Sequence, residues 1–95
     1  MTPSKLEKIK KDLENLKLNP KGIKSEVLIK IAIQLGRKKH PRGKEPTYVR
    51  DKEPELSPPL SIPNHKGTAL KTGTAKSIIN QLLEDVEAWE EENIK

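Results

Sequence analysis

The sequence predicts an α+β domain: a small three-stranded antiparallel sheet with helices packed on one face. Apolar residues recur at helical spacing in three segments, residues 6–16, 27–35 and 75–89. Between the second and third of these, the chain breaks into short stretches divided by proline and glycine, the pattern of short strands. Helices, then a run of strands, then a helix is the order of a segregated α+β domain rather than of alternating β-α-β units. At 95 residues one small domain is expected. Such a chain buries only roughly 60% of the surface it exposes when unfolded. With 32% apolar residues against 35% charged, the core should be thin and one or both ends disordered.

The first helix should start at Ser4, an N-cap whose capping box is completed by Glu7. Leu6, Ile9, Leu13 and Leu16 form a narrow apolar stripe on an otherwise Lys/Glu surface. Asn19-Pro20-Lys21-Gly22 ends this helix, because proline cannot continue it and glycine permits the turn. The next segment carries two patterns at once. Val27, Ile29, Ile31, Ile33 and Leu35 alternate as in a strand, whereas Val27, Leu28, Ile31, Ala32 and Leu35 share a helix face. Ser25 as a cap and Gly36 as a stop decide for helix. Residues 37–40 and 47–50 read as two strands of a hairpin bent at Arg42-Gly43-Lys44, with Tyr48 and Val49 on opposite faces. Residues 52–59 hold three prolines and read as an extended loop, and Leu60-Ser61-Ile62 adds a third strand. Thr72 or Thr74 caps the last helix, whose buried stripe is Ala75, Ile78, Ile79, Leu82, Val86 and Trp89, widened by Leu83. It should fray from Glu90 onward.

The formal net charge of +5 is unevenly distributed. Residues 1–24 set seven lysines against Glu7, Asp12 and Glu14. Residues 37–52 set Arg37, Lys38, Lys39, Arg42, Lys44, Arg50 and Lys52 against Glu45 and Asp51. Residues 82–95 carry Glu84, Asp85, Glu87, Glu90, Glu91 and Glu92 against Lys95 alone. Basic segments ahead of an acidic end point to a polyanionic partner, most often nucleic acid. With no cysteine and two histidines, neither disulfides nor a thiolate metal site can form, and no metal or other cofactor is expected. No signal-peptide pattern opens the chain, and residues 27–35 are too short an apolar run to span a bilayer. The expectation is a soluble cytoplasmic protein with no membrane partner.

Several of these pieces together resemble the HicA toxins. They are a short helix stopping at Gly36, a basic hairpin with Arg42-Gly43, Leu60-Ser61-Ile62-Pro63-Asn64-His65, and above all Leu70-Lys71-Thr72-Gly73-Thr74-Ala75-Lys76-Ser77-Ile78. The resemblance spans about residues 25–86. It implies a double-stranded-RNA-binding-like α-β-β-β-α core, assigned to residues 23–89; the N-terminal helical extension at 1–22 is an addition outside the resemblance, and an acidic tail (90–95) follows. It further implies an mRNA-cleaving toxin, an endoribonuclease, neutralised by a HicB-like antitoxin. The family's catalytic histidine enters with the second strand, in a segment matching residues 43–48, where this chain has none.

Metal-free RNA cleavage needs a group titrating near neutrality to take the 2′-hydroxyl proton, and cations to hold the scissile phosphate. His65, between a strand end and a helix start, is the general-base candidate, with Glu45 as the alternative. Lys66 and Lys71 are candidate phosphate binders, and Arg37, Lys38, Lys39, Arg42, Lys44 and Arg50 form the candidate RNA-binding hairpin. Each has a structural reading beside it: His65 shaping its turn, Glu45 offsetting nearby cations, the hairpin as a solvated basic loop, and His40 as a surface residue before Pro41. Tyr48 suits a half-buried strand position better than a stacking platform, and with no Phe in the chain single-strand stacking is disfavoured. Two other classes stay open: a non-catalytic RNA- or DNA-binding module, and a protein-interaction adaptor docking through the Leu6/Ile9/Leu13/Leu16 stripe.

Overall fold

Pro3 opens the first helix, one residue before the cap that Ser4 was expected to provide, because proline's fixed φ suits a first helical turn that needs no N–H donor. The computed structural model describes residues 3–40, 47–50, 59–63 and 69–94. Its elements run α1 (Pro3–Leu18), α2 (Ser25–Gln34), β1 (Arg37–His40), β2 (Thr47–Arg50), β3 (Leu60–Ser61) and α3 (Thr72–Ile94). The α+β class and the small antiparallel sheet follow the sequence reading. Helix reaches Ile94, so the fraying expected from Glu90 is not what the described residues show. Half-exposed Lys10 and Glu90 face each other at 3.4 Å across α1 and α3, a pair worth no more than about 1 kcal/mol at that exposure.

α1 is not an appendage. Leu6, Ile9 and Leu13 are buried in the same apolar core as Leu28, Ala32 and Leu35 of α2 and Ala75, Ile78, Ile79, Leu82 and Val86 of α3. The stripe expected to dock a partner is thus largely enclosed by the chain's own α3, with only Leu16 left partly open. At Asn19 the helix closes with bonds back to the carbonyls of Asn15 and Leu16, and Gly22 turns the chain at φ 74°.

The start of α2 departs from expectation by one residue. Lys24, extended at φ −84° and ψ 147°, takes the N-cap position, and Ser25 is the first helical residue. Pairing across the fold sets this. Lys24 bridges Ala69, and the Leu70 N–H donates to the Ile23 carbonyl at 2.8 Å, so the backbone is held extended until Ser25. Ser25 is left buried with an unpartnered hydroxyl, because a residue already inside the helix cannot cap it. At the other end Gly36 adopts φ 88°, the left-handed turn that glycine takes without strain. The Trp89 indole N–H donates to the Leu35 carbonyl at 2.8 Å and satisfies one acceptor exposed by the end of α2.

The sheet order is β1-β2-β3, antiparallel throughout. Lys39 lies opposite Tyr48, which lies opposite Leu60 on its other side, and Arg37 pairs with Arg50. Strand alternation therefore turns Arg37, Tyr48 and Leu60 to the helix-covered side, where all three are buried. Lys38 and Ser61 are exposed on the opposite face, with Thr47 and Val49 half-buried. Thr72 is the first residue of α3 rather than its cap, with the Ala75 N–H donating to the Lys71 carbonyl at 2.9 Å.

Candidate nucleic-acid interface

Turning at Gly36, the chain delivers Arg37 straight into the core. Its side chain is 0% exposed and lies against Asp85 of α3. Nε donates to one carboxylate oxygen at 2.5 Å and Nη2 to the other at 2.9 Å, a two-pronged pair, while Nη1 donates to the Tyr48 carbonyl at 2.7 Å. One cation thus ties the first strand to the second strand and to α3. Arg37 is withdrawn from the candidate RNA-binding residues, because a guanidinium committed to a buried carboxylate and carbonyl has no donor face turned to solvent. The sequence counted Arg37 and Asp85 in opposite charge blocks. Each block is one charge smaller at the surface than it reads.

Asp85 is the residue that sequence reasoning missed as a partner. The signal was present, since Leu82, Asp85, Val86 and Trp89 recur at 3, 1 and 3 and so share the inward face of α3. A carboxylate on a buried stripe needs a cation opposite, and Arg37 follows the Gly36 turn that aims it inward.

Lys38 and Lys39 are exposed on β1. As consecutive strand residues they leave the sheet on opposite sides, so their two ammonium groups are not placed to clamp one group between them. Lys71 is exposed immediately before α3, where unpaired backbone N–H groups add partial positive charge. Arg50 is placed by its backbone pairing with Arg37. His65, Glu45, Arg42, Lys44 and Lys66 lie outside the described residues, as do the hairpin bend at 42–44 and most of the 52–59 loop. Among the described residues no group of three or more His, Asp or Glu side chains is placed to hold a metal ion, and no helix is long and apolar enough to cross a membrane.

Tyr48 sits on the covered face, which rules out base stacking by its ring, and its burial pushes the hydroxyl's pKa above the usual 10.0. The folded state therefore keeps this proton at pH values where the unfolded chain has lost it, and stability falls as pH rises past about 10 toward the raised value. Because Tyr48 is the only tyrosine, tyrosinate absorbance reports it alone. Denaturation midpoints should fall on the alkaline side more steeply in the native sequence than in Tyr48→Phe. Identical alkaline profiles would show that the hydroxyl titrates as if in water.

Comparison of the chain with protein-family models, with curated proteins and with solved structures finds no match.

Proposed function

We propose that the chain is an RNA-directed, toxin-like component of a type II toxin–antitoxin pair. In this reading it has a double-stranded-RNA-binding-like core, metal-independent mRNA cleavage as its activity and a HicB-like antitoxin as its protein partner. The observation that carries the proposal is the order α2-β1-β2-β3-α3, with the sheet arranged β1-β2-β3 and helices on one face. That order coincides with the stretch whose residues resemble the HicA toxins. Lys39 and Lys71 are exposed on it, and double-stranded RNA is recognised mainly through its shape, phosphates and 2′-hydroxyls. His65 is the general base of the proposal and Glu45 its alternative, with Arg42, Lys44, Arg50 and Lys66 as further phosphate binders.

One observation favours a second reading, a binding module that does not cut: residues 43–48 contain no histidine. A single experiment separates the two. Purified protein is incubated with mixed-sequence RNA without divalent metal, beside His65→Ala, Glu45→Ala and Lys39→Glu/Lys71→Glu. Binding should weaken steeply with salt, and the lysine double variant should reduce the slope by about 0.7–0.9 for each phosphate it no longer neutralises. Cleavage abolished in His65→Ala and retained in Glu45→Ala supports the toxin with the named base. Binding without cleavage leaves the binding module, and salt-independent binding removes both.

A further inference from the structure

An open cleft of about 640 Å³ lies between α1 and α2, on residues that the RNA-binding reading does not use. Its apolar lining is Ile9 and Leu16 from α1 and Val27 and Ile31 from α2. Ile9 and Ile31 belong to the core, but Val27 is 43% exposed, an apolar side chain left facing solvent beside a groove. Lys5 and Lys8 on α1 and Lys30 on α2 line the same cleft, against Asp12 as its one carboxylate. Lys8 and Lys30 are exposed, and neither enters an ion pair among the described residues.

An apolar floor edged by ammonium groups is complementary to a segment carrying apolar residues on one side and carboxylates beside them. We infer that the α1–α2 cleft docks an acidic amphipathic helix from a partner protein, its apolar side chains against Val27 and Leu16 and its carboxylates against Lys8 and Lys30. Helix-in-groove recognition has this form, with burial supplying affinity and the rim charges supplying orientation and partner choice. RNA fits the cleft poorly, because its phosphates find the lysines but nothing in its backbone matches the apolar floor. A second copy of the chain fits poorly too. Its acidic helix, α3, has already buried Ile78, Ile79, Leu82 and Val86 in its own core and has no such stripe to offer.

The probe is a synthetic end-blocked peptide of leucines at helical spacing flanked by glutamates, titrated into the full-length protein and followed by amide NMR shifts. Shifts should centre on Val27, Lys30 and Ile31 and on Lys8 and Ile9, and a lysine-for-glutamate version of the peptide should not bind. Lys8→Glu/Lys30→Glu changes only exposed side chains and should weaken binding about tenfold or more. Val27→Asp should weaken it comparably while leaving the spectrum of the free protein folded. Shifts located elsewhere, equal binding of both peptides, or unchanged affinity in the charge-reversed variant would overturn the inference. Mixed-sequence RNA shifting the same amides, or self-association of the free protein that disappears in Lys8→Glu/Lys30→Glu, would also overturn it by naming a different occupant. None of these outcomes bears on cleavage by His65, so the two proposals fail independently.

Discussion

Replacing Asp85 with alanine should lower the unfolding free energy by about 3–5 kcal/mol, a large share of the ~5–15 kcal/mol available to a small domain. The reason is the cation left behind. Arg37 is fully enclosed, and without Asp85 two of its donors lose their acceptor inside the core. The pair itself need not stabilise the fold, because the desolvation of two ions offsets most of their attraction. The double variant Arg37→Met/Asp85→Leu should therefore come close to the native stability or exceed it. Urea denaturation of the single and double variants measures this directly. A loss below about 1 kcal/mol in Asp85→Ala would mean that Arg37 reaches solvent when its partner is removed. If the proposed RNA binding holds, the same double variant should leave it unchanged, because Arg37 is buried and adds nothing to the basic surface.

The second large effect concerns α1. Leu13→Ala should cost about 2–5 kcal/mol, since the leucine is fully buried and a core relaxes only partly around the space such a truncation leaves. Leu18, on the same helix but 80% exposed, should change stability by no more than about 0.5 kcal/mol when made alanine. For a domain of this size each kcal/mol moves the melting temperature by about 4–8 °C, so the contrast is readable by thermal unfolding. Equal, small effects at both positions would make α1 the separate extension that the sequence reading expected.

How far the sequence predicted these arrangements can be seen at individual residues. The strands at 37–40 and 47–50 were legible because proline and glycine punctuate them, and the α3 stripe because its spacing is long and regular. Choosing helix for residues 25–34 rested on Ser25 as a cap and Gly36 as a stop, and the structure contains the left-handed turn at Gly36 but not the cap at Ser25. The capping residues were less legible. Ser4, Ser25 and Thr72 each lie inside the helix they were expected to cap, and at α2 the cause is a pairing with Ala69 and Leu70, far along the chain. The fate of Arg37 was hidden for a related reason. Composition counts charges without knowing which of them meet, and a basic run looks the same whether its first member is in solvent or in the core. The α1–α2 cleft was invisible because Lys8 and Lys30 belong to different helices, and only the packing of those helices brings them to one groove.

The enclosure of α1 by α3 has a consequence in time. Leu6, Ile9 and Leu13 are synthesised well before α3, which supplies much of what covers them. At ~5–20 residues per second, the chain between Leu18 and Thr72 takes roughly 3–10 s to synthesise. Until α3 follows, the leucine and isoleucine stripe of α1 lacks the cover that Ala75, Ile78, Ile79, Leu82 and Val86 give it in the folded chain.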